Sequence, residues 1–510
     1  MTNSTEQSSK ELHARIAKTQ DAARLTQAKK RQAKGFNTAR ENIEKLCSGN
    51  LFREYGQLSV AAQRQRRNYA ELQTETAADG VITGIAPINN EHITLGANAK
   101  LKTHDTALIV NDYSVLAGTQ GYFHHLKLDR IIEVALNKRL PIIMLTEGGG
   151  GRPGDTDITT INSGLQCTTF SRWAGLSGKV PRIAINNGYC FAGNAALFGA
   201  ADITIATASS FIGMAGPAMI EGGGLGKFHP TDIGPIDTQA KNGVVDIVAQ
   251  DESHAIEIAK TCLGFFQGCH IDWEAPNDSA LDSVLPDDRR YVYDMHTVIS
   301  GIVDINSFIE IGMQYGSAII QGFARLEGKP VGVVASNCKV LGGAIDVDAA
   351  KKLNRFMKLC DQFAIPIVSL CDTPGFMVGP EHEKNGAVRY LSELFATGAN
   401  LSTNFVAVVI RKCYGLGAQA MLAGSTSNPS YMLSWPTGEF GAMGLEGAIK
   451  LGFKKELEEQ SDPAKRQALF DKLLAQQYEK GKALEVATVL EIDAVIEPRD
   501  TRKIVLAALR

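Results

Sequence analysis

The chain alternates short apolar runs with longer amphipathic stretches. "TALIVND" (Thr106–Asp112) and "GVVASN" (Gly332–Asn337) have the pattern of buried strands. "LDRIIEVALNKR" (Leu128–Arg139) and "KKLNRFMKLCDQF" (Lys351–Phe363) carry apolar residues at helical spacing. "PIIMLTE" (Pro141–Glu147) and "PIVSLCD" (Pro366–Asp372) return to strand. This recurrence predicts an α/β fold of stacked sheets with flanking helices. Two more apolar runs, "IAINN" (Ile183–Asn187) and "FVAVVI" (Phe405–Ile410), are followed closely by segments of small residues, "GYCFAGNAALFGAAD" and "YGLGAQAM". Each reads as a strand ending in a glycine-rich turn that opens a helix. The N-terminal stretch "ELHARIAKTQDAARLTQAKKRQAKGFNTARENIEKLCSG" reads as helix broken near Gly35. Its acids and bases are interleaved and no stacking aromatics accompany them. That pattern fits a solvated helical hairpin better than a nucleic-acid arm.

The chain also resembles itself. "VLAGTQ" from Val115 meets "VLGGAI" from Val340, and "LPIIMLTEGGG" from Leu140 meets "IPIVSLCDTPG" from Ile365, both at the same offset. Glu147 thereby falls on Asp372. "AGNAAL" from Ala192 meets "LGAQAM" from Leu416 at an offset one shorter, and "IGMAG" from Ile212 meets "FGAMG" from Phe440 at an offset slightly longer. Four collinear landmarks imply a duplicated unit of roughly 200 residues, with the drift absorbed by a loop insertion around "STSNPS". The join lies in the polar, proline-containing segment "WEAPNDSALDSVLPDDRR". The expected organisation is a helical segment at residues 1–79, a first domain at 80–275 and a second at 276–510.

Composition narrows the function classes. A length of 510 residues fits two large domains, and a net charge of -3 gives no global reason to expect nucleic-acid or membrane binding. No apolar run is long enough to span a bilayer, and the polar start does not read as a secretory signal. The nine cysteines include no C-x-x-C pair, which points to a reducing cytoplasm and away from a zinc ribbon. "TEGGGGRPGD" contains G-x-G-x-x-G at Gly149, Gly151 and Gly154. It lacks both the downstream acid of a dinucleotide fingerprint and the G-K-[ST] of a phosphate loop. "EGGGLGKFHP" reads as a wall loop. His124 and His125 are adjacent and diverge on a helix, so they do not form a metal pair. Glu147 and Asp372 stand at equivalent strand ends in different halves, and are expected to order loops rather than share one acid–base site.

Several longer segments resemble the carboxyltransferase (beta) subunit of biotin-dependent acyl-CoA carboxylases. They are "LGGAIDVDAAKKLNRFMKLCDQFAIPIVSLCDTPGFMVGPEHEKNG", "RKCYGLGAQAM", "SWPTGEFGAMGLEGA", "EIDAVIEPRDTR" and, in the first half, "NNGYCFAGNAALFGAADITIATASSFIGMAGPAMI". The resemblance covers the chain beyond its N-terminal helices and implies two tandem crotonase-like domains. It explains why the glycine-rich turns hold almost no chemistry in their side chains. In that family, carboxybiotin supplies CO2 and the base for the α-proton of the acyl-CoA. Backbone N–H groups at two such turns hold the enolate and the biotin ureido oxygen, and small residues let each ligand reach the backbone.

The resemblance places the first hole on Ala192, Gly193 and Asn194, with the amides of Gly193 and Asn194 as donors to the acyl-CoA. The family often has a second glycine where Asn194 stands. Gly149, Gly150 and Arg152 are expected beside the CoA ester, with Arg152 open to either a CoA phosphate or a loop salt bridge. The second hole is expected at Gly417 and Ala418, with Gly415, Leu416, Gly375 and Phe376 around biotin. No metal is expected in this subunit. The four-cysteine zinc ribbon of the plastid and common bacterial branch is missing, so the chain is more similar to the propionyl- and methylcrotonyl-type branch. No biotinyl-lysine motif or ATP-grasp domain is seen. The resemblance therefore implies biotin carried on a partner, a separate biotin carboxylase, and a homo-oligomer, a hexamer built as a trimer of dimers. In the family the first half of one subunit faces the second half of another. A biotin-dependent CoA-ester decarboxylase subunit and a crotonase-like hydratase or isomerase remain open, as does a non-catalytic scaffold.

Overall fold

The computed structural model describes residues 4–96 and 100–509. The chain divides into two compact units, residues 1–268 and 269–510. The division lies a few residues ahead of the join expected at 275/276.

The first unit opens with helices α1 (Ser4–Lys18), α2 (Leu25–Gln32) and α3 (Ala39–Cys47). The break after α2 includes Gly35, whose φ of 79° suits glycine. A capping box starts α3: the Thr38 hydroxyl accepts from the Glu41 amide, and the Glu41 carboxylate accepts from the Thr38 amide. The strands are β1 (Arg53–Tyr55), β2 (Val81–Pro87), β3 (Asp105–Asn111), β4 (Ile142–Leu145), β5 (Arg182–Asn186), β6 (Tyr189–Phe191), β7 (Ile203–Thr207), β8 (Phe211–Gly213) and β9 (Ile247–Ala249). One seven-stranded sheet runs β1-β2-β3-β4-β5-β7-β9, while β6 and β8 form a separate parallel pair. The β1–β2 and β2–β3 pairs are antiparallel and the rest of the large sheet is parallel. Helix α4 (Tyr122–Lys138) lays Leu128, Ile131, Ile132 and Ala135 into the same core as Ile109 and Met144. These are the apolar residues whose spacing predicted the helix.

The second unit repeats the plan. Its strands are β10 (Ile309–Glu310), β11 (Ile319–Leu326), β12 (Lys329–Ser336), β13 (Ile367–Thr373), β14 (Phe405–Tyr414), β15 (Tyr431–Ser434), β16 (Glu439–Gly441) and β17 (Ala494–Val495). The sheet order is β10-β11-β12-β13-β14-β15-β17, with β16 pairing the far end of β14. Again two antiparallel pairs are followed by parallel ones. Helix α5 (Val347–Gln362) covers this sheet as α4 covers the first. Strand β14 does in one run what β5 and β6 do in two. In the first unit Gly188, at φ 101°, breaks the strand, whereas "VIRKCY" has no glycine to do so.

Local backbone geometry fixes the register of the duplication. Ala117 and Gly342 both have positive φ (54° and 62°), as do Gly150 and Gly375 (87° and 123°), and both pairs keep the offset that relates Val115 to Val340. Further along the register slips. Tyr189 pairs with Phe211 as Lys412 pairs with Glu439, and Phe191 with Gly213 as Tyr414 with Gly441. Tyr189 and Phe191 thus map onto Lys412 and Tyr414, so the structural offset here is one position shorter than the match of "AGNAAL" to "LGAQAM" implies. The insertion that follows lies in the 422–430 loop, where "STSNPS" placed it. Among the described residues, no helix is long and apolar enough to cross a membrane.

Candidate active site

In the first unit the β6 strand delivers the chain to Ala192, whose φ of 51° and ψ of −120° form a sharp non-helical corner. Two backbone bonds brace the corner: Phe191 N donates to Gly148 O at 3.0 Å, and Ala192 N to Gly213 O at 3.0 Å. Helix α6 (Gly193–Gly199) follows at once. Its first intrahelical bond runs from Ala196 N to Ala192 O, so the Gly193 and Asn194 amides have no acceptor among the described residues.

The surrounding loop is close-packed. A Cβ at Gly150 would come within 2.7 Å of Ala192 Cβ, and one at Gly193 within 2.2 Å of Gln120 Oε1 and 3.0 Å of Phe170 Cζ. Gly149 donates its amide to Ala117 O at 3.0 Å. Asn194 is buried, and its Nδ2 donates to Gly118 O at 3.3 Å and Thr146 O at 3.1 Å. Its side chain therefore ties together the three segments that form the turn. Ala192, Gly193, Asn194, Gly149 and Gly150 all come together here.

Of the two roles open to Arg152, the structure shows the loop salt bridge. Its guanidinium is buried on the Asp79 carboxylate, lies 3.5 Å from Asp155 Oδ1 and donates to Thr119 O at 2.8 Å. Burial raises the Asp79 pKa against the pull of Arg152. With its charge enclosed in this way, Arg152 is a loop-fastening ion pair. His124 and His125 also diverge: one Nδ1 faces Asp79 O at 3.2 Å, the other Thr169 Oγ1 at 3.0 Å. Among the described residues, no three His, Cys, Asp or Glu side chains gather as metal ligands would.

In the second unit β14 leads through Tyr414 to Gly415, at φ 62°, and helix α7 (Gly415–Met421). Gly415 takes the positive-φ place of Ala192. The sequence of buried and open positions from Phe191 to Phe198 recurs from Tyr414 to Met421. The counterparts of Gly193 and Asn194 are thus Leu416 and Gly417, one residue before the expected Gly417 and Ala418. Ala418 is buried where Ala195 stands. Leu416 points its side chain outward, 60% exposed, and leaves its amide in the first turn. Gly417 packs on the loop at Gly375 and Phe376: a Cβ there would lie 2.4 Å from Gly375 C and 2.6 Å from Phe376 N. Gly375 and Phe376 are therefore brought to this turn, although Gly417 faces them with its Cα rather than with open space.

A cavity of about 540 Å³ adjoins the turn, walled by Gly415, Leu416, Ala418, Phe440, Ala442 and Met443. Tyr414 Oη donates to Glu439 Oε2 at 2.7 Å, and Arg289 Nη1 lies 3.0 Å from both Glu439 oxygens. This clasp fixes β16, which carries one wall of the cavity. Burial and the Glu439 carboxylate raise the Tyr414 phenol, so it stays a donor.

The two equivalent acids are ion-paired inside their own units. Glu147 meets Arg31 at 2.7 Å, and Asp372 meets Arg411 at 3.1 Å. Burial pushes the Glu147 carboxyl up to about 7, with Arg31 opposing. Glu147, Arg31, Lys30, Lys34, Tyr113 and Tyr189 line a further cavity of about 640 Å³. Sequence reading missed Gln120 and Phe170 beside the first turn. The readable signal was a polar residue in "VLAGTQ" where "VLGGAI" has Ile345.

Comparison with known proteins fits this duplicated geometry. The carboxyl transferase domain family matches residues 30–510. The propionyl-CoA carboxylase carboxyltransferase subunit of Haloferax mediterranei is 29% identical over 94% of this chain and 90% of its own length. The methylmalonyl-CoA decarboxylase subunit alpha of Veillonella parvula is 29% identical over 98% of this chain and 94% of its own. Among solved structures, a single-chain, multi-domain long-chain acyl-CoA carboxylase superimposes with a TM-score of 0.91 at 46% identity. That match covers 98% of this chain but 48% of the larger one, so the chain spans about half its length. The hexameric transcarboxylase 12S core matches with a TM-score of 0.83 at 27% identity, over 99% of this chain and 94% of its own. Two tandem crotonase-like units, each ending a strand in a glycine-containing turn that opens a helix, and a family match over nearly the whole length make this chain a member of the carboxyl transferase family.

Proposed function

We propose that this chain is the carboxyltransferase component of a biotin-dependent acyl-CoA carboxylase. It moves the carboxyl group from carboxybiotin on a carrier protein to the α-carbon, or the vinylogous γ-carbon, of an acyl-CoA. The observation that carries this reading is the pair of equivalent turns, Gly193–Asn194 and Leu416–Gly417, whose first-turn amides have no acceptor among the described residues. The reaction develops negative charge on two oxygens, and fixed N–H donors suit such charge without reorganising. In this reading Gly193 and Asn194 hold the thioester oxygen as the enolate forms, while Gly149 and Gly150 keep side chains out of its way. Leu416 and Gly417 would hold the ureido oxygen of biotin. Bound biotin supplies the carboxyl group and the base. The cavity of about 540 Å³ beside Leu416 supports this assignment. The 46% identity with a long-chain acyl-CoA carboxylase makes long-chain esters the first substrates to try.

The test is incorporation of labelled bicarbonate by the complex reconstituted with a biotin carboxylase, a biotinylated carrier and ATP, across CoA esters from acetyl to long-chain. Labelled malonyl-type products, or glutaconyl-type products from α,β-unsaturated esters in the panel, are expected, and the absence of both would overturn the reading. The relationship to a methylmalonyl-CoA decarboxylase subunit supports a second reading, the same half-reaction run towards decarboxylation. Loss of CO2 from a malonyl-type CoA to the carrier, with no ATP-dependent carboxylation, would select it. Partners in either case are the biotin carrier and acyl-CoA, in a homo-oligomer expected to be a hexamer in the cytoplasm.

A further inference from the structure

We propose that Gln120 is a substrate-contacting residue of the first turn: its side-chain amide donates to the thioester oxygen beside the Gly193 and Asn194 amides. This rests on the carboxyltransferase reading. The backbone of Gln120 is held on both sides. Its N–H donates to Gly150 O at 2.7 Å, and its carbonyl accepts from Arg152 N at 2.8 Å. The side chain is consequently aimed rather than free, and only 4% of the residue is exposed. Its head lies against Gly193, where a Cβ would come within 2.2 Å of Oε1. Yet the carboxamide makes no hydrogen bond among the described residues, and Nε2 is buried without an acceptor. Buried amide donors are ordinarily paired, and an unpaired one destabilises the fold. A half-turn about the last torsion presents either edge of the amide to the turn.

The second unit supplies an internal control. Ile345 occupies the equivalent place with the same clamps: its N–H donates to Gly375 O at 3.0 Å, and its carbonyl accepts from Met377 N at 2.9 Å. It is apolar and fully buried. The backbone site therefore accepts an aliphatic side chain, and packing does not require a glutamine. At this place in the fold, the unpaired polar head belongs to the unit whose turn is assigned to the acyl-CoA.

The experiment uses the reconstituted complex with Gln120→Leu and Gln120→Glu, measuring kcat and KM for the acyl-CoA together with the melting temperature. If Gln120 donates to the developing oxyanion, Gln120→Leu lowers kcat about 100-fold, the usual loss for one such donor, with KM little changed. Its melting temperature stays level or rises, because an unpaired buried amide has been removed. Gln120→Glu sets a carboxylate beside the oxyanion and falls further at pH 8. A Gln120→Leu variant with wild-type kcat overturns the inference while leaving the carboxyltransferase reading intact. So does one whose kcat loss tracks a lowered melting temperature, the signature of a residue that only bridges the turn through water. A wild-type complex that carboxylates no CoA ester overturns the functional reading and this inference with it.

Discussion

At the residue scale, the proposed chemistry belongs to backbone atoms, so the useful substitutions separate a side chain from its N–H. Leu416→Ala removes an exposed side chain and keeps the amide, and nearly full activity and stability are expected. Leu416→Pro deletes the amide in the first turn of α7, where proline is tolerated because no intrahelical acceptor is lost. Carboxyl transfer from carboxybiotin should drop about 100-fold at an unchanged melting temperature. Equal activities in the two variants would show that the donors lie elsewhere. Arg152 calls for the opposite logic. Arg152→Met leaves the Asp79 carboxylate buried without its cation, which should destabilise the first unit by about 3–5 kcal/mol. KM for the acyl-CoA should hold in whatever folds. A raised KM at unchanged stability would restore a phosphate contact. The small-residue turns were legible in the sequence; the register of the second against the first was not. "AGNAAL" and "LGAQAM" align glycine on glycine, but the fold sets Gly417 in the place of Asn194. No landmark between Glu147 and Ala192 records the shortening of the second copy there.

At the element scale, three arginines of the N-terminal segment are spent within the first unit. Arg24 reaches Asp112 at 2.7 Å, Arg31 reaches Glu147 at 2.7 Å and Arg40 reaches Glu54 at 2.6 Å. Composition shows the arginines but not partners far along the chain, which is why a solvated hairpin was the natural reading. The Arg31–Glu147 pair gives a pH signature. Burial lifts Glu147 from its ordinary 4.5 to about 7 in the fold. Between those values the folded state binds the extra proton, so this group's contribution to stability falls as pH rises through the window. Arg31 is what limits the rise. Arg31→Met should push the Glu147 pKa higher and enlarge the deficit on the alkaline side, to about 3 kcal/mol at pH 8. Near pH 5 Glu147 is largely protonated with or without Arg31, and the deficit should shrink. Melting curves of both proteins from pH 5 to pH 8 decide it, and a deficit that does not grow with pH would mean Glu147 stays ionised throughout.

At the scale of the whole molecule, duplication was readable because loops with unusual backbone geometry were kept in both copies. Ala117 with Gly342 and Gly150 with Gly375 are examples. What duplication leaves open is how many chains one reaction uses. Each unit carries a single turn, and the proposed transfer needs both kinds. In the hexamer proposed here, the two turns serving one reaction come from different copies. Complementation tests this directly. Gly193→Pro disables the first turn of every copy that carries it, and Leu416→Pro the second. If one chain supplied both turns, every site in a mixed oligomer would contain one damaged turn, and mixing would restore nothing. If two chains share a site, each mixed pair has one site with both damaged turns and one with neither. Random pairing at equal amounts then returns about a quarter of wild-type activity, since half of the pairs are mixed and half of their sites are intact. The measurement is carboxylation by the co-refolded mixture against each variant alone, with light scattering to confirm the same assembly in all three. Activity no greater than the mean of the parents would place both turns of a site on one chain.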